Sequence, residues 1–528
     1  MRLVRTVAGA CVVGTVLTAC GGGGGNSGGS SGEVVDGGDF SMALSSDPGS
    51  LDPQLSAASN LFQLSHFAYD SLVSLNGKGE VVSELAEDWK VDGTTVTLTI
   101  NDGVTCADGS PFTAKDAAAN LTWIADPNNQ SPFLGVFVPA GVQATATDDT
   151  TLTLTLAGPA PFVLNGLAGV PMVCASGLAD RSTLAKETAG TGPYELTEAV
   201  PSDHYTYTKR DGYTWGPDGA STSTKGLPDT ITVKIIQNET TAANLLLSGE
   251  LNYSSIVGPD AERLDKAGLF KATQTAVLGE QWFNQADGRP TADPAVRTAL
   301  VQAVDLDQLA KVITSNRGGP GTQFAATSPS ACQGNSVKDA LPGHDLDAAK
   351  KALDDAGWKA GSDGIRAKDG TPLALTFVYD TGLGTGGSAA AELVNKAWKD
   401  LGVDVTTKPQ DETAVVQTVF STGDWDISWV PVNISSPDQI VPFLSGPAVP
   451  DGNNFAHISN ADYDAGIAQA MTKNGAEGCD DWLKAESAIV RDADAFPFAN
   501  QEATFFGKNA TFEVNDVLQP TSIRMTAG

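Results

Sequence analysis

The sequence predicts a layered α/β protein built from about two to four folding units or as one large split architecture. Strand-patterned and helix-patterned segments alternate along most of the chain, an order that lays helices over a sheet. The chain has 528 residues, 41% hydrophobic and 7% aromatic. At roughly 100–200 residues per domain, that is enough apolar material for more than one core. Glycine contributes 57 residues, well above the ~7% of average usage, so many turns join the elements. Bulk disorder, collagen and coiled coil are excluded.

The elements follow in order. Residues 40–44 alternate as a strand and are stopped by Asp47-Pro48-Gly49. Residues 89–91 and 95–100 form a hairpin about Asp92-Gly93, a tight-turn dipeptide. A helix is expected over 112–123, with Thr113 as N-cap and Asp116 three residues on to close a capping box. Residues 150–156 alternate strictly and read as a strand, 227–237 as another, and 239–249 as a helix ending in glycine. Residues 293–315 read as one helix, because Val296, Leu300, Val304, Leu309, Val312 and Ile313 form a single apolar stripe. Residues 345–356 are a further helix ended by Gly357. A strand at 373–379, a helix at 388–401, a strand at 403–407 and a short apolar strand at 424–430 complete the alternation.

Charge narrows the partners. Lys and Arg number 32 against 63 Asp and Glu, a net charge of −31. Such a surface repels phosphate, which sets aside nucleic acid and any anionic-membrane patch on the body of the protein. It also keeps an exported protein soluble.

The N-terminus is basic at Met1-Arg2-Leu3-Val4-Arg5, followed by a mostly apolar run over 6–19. That run is shorter than the ~20 residues of a spanning helix and reads as an export signal. It closes on Leu17-Thr18-Ala19-Cys20, which resembles the lipobox of bacterial lipoproteins, where the cysteine is lipidated. The expectation is a lipoprotein signal peptide over 1–20, lipidation of Cys20 and a flexible Gly/Ser tether over 21–36. The body would then sit outside the cytoplasm, lipid-anchored on the cell membrane or in a periplasm. Cys11 leaves with the signal. Cys106, Cys174, Cys332 and Cys479 remain, an even number in an oxidising compartment, with three pairings open. Their wide spacing without a CxxC, and four histidines (His66, His204, His344, His457) that never pair at helical spacing, give no reason to expect a metal.

Seven segments in order resemble one family, the extracellular solute-binding proteins of ABC importers in the peptide/nickel-type cluster, family 5. They are Asp47-Pro-Gly-Ser-Leu-Asp52-Pro53; Tyr69-Asp-Ser-Leu72; Leu85-Ala-Glu-Asp-Trp89; the run from Asn101 to Asp116; Gly190-Thr-Gly-Pro-Tyr194; Phe283-Asn284 with the run from Val296 to Asp305; and the run from Asp347 to Trp358. The resemblance spans about 40–515. It implies a two-lobed clamp of the type II periplasmic-binding-protein kind. Lobe I would take 37–276 and the return segment 497–528, with an extra subdomain at about 68–184; lobe II would take 277–496. The pairs Cys106–Cys174 and Cys332–Cys479 are then preferred, since each stays within one lobe. The implied partners are a peptide or similar small solute and the transmembrane subunits of a permease, with the binder a monomer, needing no cofactor and performing no catalysis. An oligosaccharide receptor on the same scaffold is the alternative, and a secreted hydrolase a remote one.

Candidate ligand contacts follow from the same resemblance. Gly382-Leu-Gly384-Thr-Gly386-Gly387 has the GxGxxG spacing of a dinucleotide site after a strand and before a helix. An exported compartment holds little of that cofactor, and the family places a loop there that faces the cleft. Family peptide binders hold the ligand amine with an aspartate at a position matching Val432, beside Asn433, and some dipeptide binders hold the carboxylate with an arginine at a position matching Thr381. Both charged anchors are missing here, which disfavours a free dipeptide. Trp429 and Phe283 are expected to offer aromatic faces, with core packing the alternative, as it is for Trp282 and Trp425. Asn284 and Asn433 could hydrogen-bond a ligand backbone, and Leu51 and Asp52 lie on a loop that the family brings near the cleft. Tyr194 is expected to pack under its Gly-Pro turn.

Overall fold

The computed structural model describes residues 32–528 except 57, 257 and 259, without the side chains of 412 and 413. The export signal, Cys20 and the first part of the tether lie outside the described residues. Among the described residues, no helix is long and apolar enough to cross a membrane.

An eleven-stranded mixed sheet organises the chain. At its centre two long strands, Phe270–Phe283 and Ala495–Gly507, run antiparallel from the pair Phe270↔Gly507 to the pair Trp282↔Ala495. Each end of this ribbon carries its own half-sheet. At the Phe283 end, Ile427–Trp429 pairs with Gln281 to Phe283, followed outward by the parallel strands Ala374–Asp380 and Asp404–Gln410. At the Phe270 end, Tyr253–Ser255 pairs with Phe505 to Gly507, followed by Asp39–Leu44, Thr230–Ile235, His204–Lys209 and Tyr194–Val200. The ribbon's register shifts between Val277 and Glu280. Gly279 sits in that irregularity, where a Cβ would stand 2.4 Å from the Phe498 ring. A shift of this kind kinks a strand locally, and it falls on the only connection of strands between the half-sheets among the described residues.

The packing is divided in the same way. One apolar core draws all its residues from 282–499 and includes Trp282, Phe283, Trp398, Trp425 and Trp429. A second, from 72–215, lies under a separate four-stranded sheet that contains the Ala86–Asp92 and Thr95–Ile100 hairpin. A third joins Phe40, Phe67, Tyr194 and Tyr253 to Phe512 and Ile523 of the C-terminal segment. The Sγ atoms of Cys106 and Cys174 are 2.03 Å apart, and Cys332 is bonded to Cys479 across a Cα separation of 5.3 Å.

Local signals explain most elements. Thr113 and Asp116 form the capping box of the helix Ala114–Ala125. Gly249, at φ 84°, ends the helix Glu239–Ser248. The single helix expected over 293–315 is instead two, Pro294–Gln302 and Leu306–Ile313. The cause is Asp305. Its extended backbone and its carboxylate, which accepts the Gln308 N–H at 3.0 Å, start a second helix. The apolar stripe survives the break because both helices face one core.

Two signatures turn out to be one packing unit. Gly190 and Gly192 lie against the backbone of Ala68, where a Cβ on Gly192 would come within 2.5 Å of the carbonyl carbon. Asp70 is buried and accepts hydrogen bonds from Thr191 Oγ1 at 2.8 Å, Tyr213 OH at 2.8 Å and Trp215 Nε1 at 3.0 Å. Arg210 adds donors to the carbonyls of Thr105, Cys106, Thr191 and Gly192. Tyr194 packs beneath and donates to Pro228 O.

Candidate ligand cleft between the lobes

A cavity of about 480 Å³ lies where the two halves face each other. One wall comes from the Asp39–Leu44 and Tyr253–Ser255 strands, the helix starting at Ser59, and Phe505 and Asp516 of the C-terminal segment; the other comes from Thr327, Gly382 and Asn433. Tyr253 and Phe505 stack within the first wall, 6.0 Å apart at 19°. Thr327, Asn433 and Asp516 also bound a narrower space of about 90 Å³. Beyond it, past Phe137 and Gln439, a further cavity of about 560 Å³ separates the four-stranded subdomain from residues 436–453. Ligand cavities commonly measure ~300–1,000 Å³. This one reaches the ribbon at Gln274, Ala276, Ala503 and Phe505.

Of the nine residues expected to touch ligand, Gly382 and Asn433 line the cavity. Gly382 is fixed by its N–H to Asp380 Oδ1 at 2.7 Å. Asn433 accepts through Oδ1 from the Val277 N–H of the ribbon at 3.1 Å and from Thr327 Oγ1 at 3.0 Å. Its amide nitrogen makes no hydrogen bond among the described residues. Thr381 is exposed beside Gly382. Val432 is half-buried, and its N–H donates to Glu280 Oε2 at 2.6 Å.

The other five belong elsewhere. Trp429 and Phe283 are fully buried. The Trp429 ring packs on Phe377 and Phe498, 4.8 and 5.0 Å away, and its Nε1 donates to Gln281 Oε1. Trp282 and Trp425 are buried as well, so core packing wins for all four aromatics. Asn284 is turned inward to the Trp425 carbonyl at 3.0 Å. Leu51 is buried, and Asp52 accepts from Arg181 Nε at 3.2 Å, with the guanidinium 3.7 Å over the Trp123 ring. That loop braces the subdomain instead of facing a ligand. The GxGxxG segment opens the helix Gly384–Leu401, and a Cβ on Gly386 would stand 2.3 Å from Ile313 O. Close packing explains that glycine. Sequence reasoning missed Thr327 and Asp516, which no motif marks.

Glu280 sits at the bend, fully buried, with Oε1 lacking any hydrogen-bond partner. Burial pushes its carboxyl up to about 8. The folded state therefore holds this proton more tightly than the unfolded chain, whose glutamates titrate near ~4.3. The group's favourable contribution is complete below ~4.3 and is lost as pH rises towards about 8. Glu280→Gln should flatten this dependence. Between pH 5 and 9 the variant is expected to lose less stability than the parent, by on the order of a few kcal/mol, read from melting temperatures at both pH values.

Residues 80–448 match the family model described as bacterial extracellular solute-binding proteins, family 5 Middle. The chain belongs to this family. The periplasmic murein peptide-binding protein MppA of Escherichia coli K12 is 27% identical over 485 residues, covering 85% of each chain. The dipeptide-binding protein DppE of Bacillus subtilis is 26% identical over 387 residues, 68% of each chain. The structure of the oligopeptide-binding protein AppA from Bacillus subtilis, in complex with a nonapeptide, superposes with a TM-score of 0.77 at 20% identity, over 94% of this chain and all of that one. These relatives are binding proteins with a two-lobed fold. In this family 5 member the ribbon joins the lobes and the cavity lies between them.

Proposed function

We propose that this family 5 protein captures a peptide-sized organic solute by closing its lobes, leaves it chemically unchanged, and hands it to a membrane permease while anchored through lipidated Cys20. The lobes divide at the ribbon: 37–276 with 497–528 on one side and 277–496 on the other. A single monomer forms the whole site. The observation that carries this reading is the cavity of about 480 Å³ walled by both halves, with Gln274 and Ala276 of the ribbon in its lining just before the register shift at Val277 to Glu280. A solute seated there touches both walls only when they approach, so its differential affinity drives closure. The murein peptide- and dipeptide-binding relatives favour a peptide. Tethering raises the local concentration of loaded binder at the permease.

Thermal-shift screening against peptides of two to nine residues and a panel of oligosaccharides tests the ligand class. A cognate peptide at 100 times its Kd should add about 2.7 kcal/mol to stability. A shift with oligosaccharides alone would overturn the peptide assignment.

A further inference from the structure

The charge of the cleft says more about its solute. The described residues lining the three linked spaces include no lysine and no arginine. Their acidic side chains are Glu239, Asp438, Asp451 and Asp516. Two of these are already engaged. Glu239 Oε1 accepts the Gly258 N–H at 2.8 Å, and Asp438 accepts from Ser436 Oγ at 2.6 Å. Asp451 borders only the outer cavity, whereas Asp516 borders both inner spaces. It stands at the tip of a tight hairpin, between Val514–Asn515 and Val517–Leu518, at φ 64°. Its carboxylate has no hydrogen-bond or ion-pair partner among the described residues. The side chain is exposed where it borders the cavity, and the protein atoms that displace water around it push its carboxyl up to about 6. Across the cavity stand Thr327 and Asn433, which share both inner spaces with it.

Resting on the solute-capture reading above, we infer that the solute carries a positively charged group that seats against Asp516 and presents no free carboxylate to the cleft. A carboxylate entering here would lose water and find no lysine or arginine, and His66, the one histidine in the described lining, is pushed towards its neutral form by burial, so its entry is costly. An ammonium gains a charge-assisted hydrogen bond. The walls also focus the negative potential into the gap. Because Asp516 lies on one wall and Thr327 and Asn433 on the other, a cation held between them is bound best in the closed form. The acidic anchor absent at Val432 is thereby supplied from the opposite lobe.

Three tripeptide pools built only from uncharged side chains test this: amides with a free α-amine, N-acetylated amides, and N-acetylated free acids. Binding is measured by titration calorimetry and native mass spectrometry. The cationic pool should bind at least tenfold tighter than the neutral one, and the anionic pool weakest. Asp516→Asn keeps the shape and tolerates positive φ. It should bring the cationic pool down to the neutral level while leaving the neutral pool unchanged. Equal or tighter binding of the neutral or anionic pool overturns the charge assignment and leaves solute capture standing. A cationic preference that persists in Asp516→Asn likewise overturns the assignment to this residue. Silence from all three pools overturns the charge assignment, and the peptide reading then stands or falls by the screen of two- to nine-residue peptides.

Discussion

Arg297→Ala is expected to destabilise the 282–499 core by about 3–5 kcal/mol, the usual cost of stranding one member of a buried ion pair. Arg297 is 4% exposed and donates to Asp494 Oδ1 at 2.8 Å, Ala493 O at 3.1 Å and Thr291 O at 3.1 Å. It thus ties the helix Pro294–Gln302 to the entry of the ribbon strand Ala495–Gly507. Truncation removes every one of these donors. Asp494 keeps Asn460 at 2.8 Å and Gln285 at 3.1 Å, but no charge to balance its own. Burial already pushes the Asp494 carboxyl up, while Arg297 and its hydrogen-bond donors pull it down. Without the guanidinium the proton is held more tightly. The loss should therefore be largest near pH 7 and narrow towards pH 4, where a neutral Asp494 strands no charge. Denaturant unfolding at the two pH values reads the difference. A loss below 1 kcal/mol at pH 7 would show that the pair is not a keystone of the core.

Removing the Cys332–Cys479 disulfide as a double serine variant is expected to cost a similar amount. It closes a loop of 147 residues, for which chain entropy in the unfolded state gives about 5 kcal/mol. Cys106–Cys174 closes 68 residues, for about 4 kcal/mol. The sites point the same way. Cys332 is buried in a cluster with Phe162, Ala470 and Trp482, where a serine hydroxyl would displace apolar contact. Guanidinium midpoints of the two double variants should fall in that order. The Phe162–Trp482 ring contact, 6.3 Å between centroids, joins the subdomain to the other lobe at this disulfide. The Cys332/Cys479 variant should therefore also loosen that contact, seen as a change in Trp482 fluorescence.

Local chemistry made much of the fold legible. The capping box at Thr113, the hairpin at Asp92-Gly93 and the glycine after Ser248 act within a few residues, so their consequences can be read directly from spacing. The ribbon was harder. Phe270–Phe283 is buried on both faces towards Phe283, which erases the alternation that marks a half-exposed strand. The break at Asp305 was hidden because a continuous apolar stripe does not distinguish one helix from two on the same core. The candidate site was the least legible part. Aromatics such as Phe283 and Trp429 suit a ligand and a core equally by type, and only the tertiary packing decided for the core. Several signature residues hold the fold: Asp52 clamps Arg181, Asp70 collects three donors, and Arg297 braces the ribbon. Asp516 carries no motif, because its place opposite Asn433 comes from the C-terminal hairpin folding back against the first lobe.

Small-angle X-ray scattering tests the central claim most directly, on the purified chain alone and saturated with the tripeptide amides it retains. Two lobes closing about the Val277 to Glu280 bend should give a smaller radius of gyration and a shortened maximum dimension when loaded. Superimposable profiles, with binding verified in the same sample, would contradict the account.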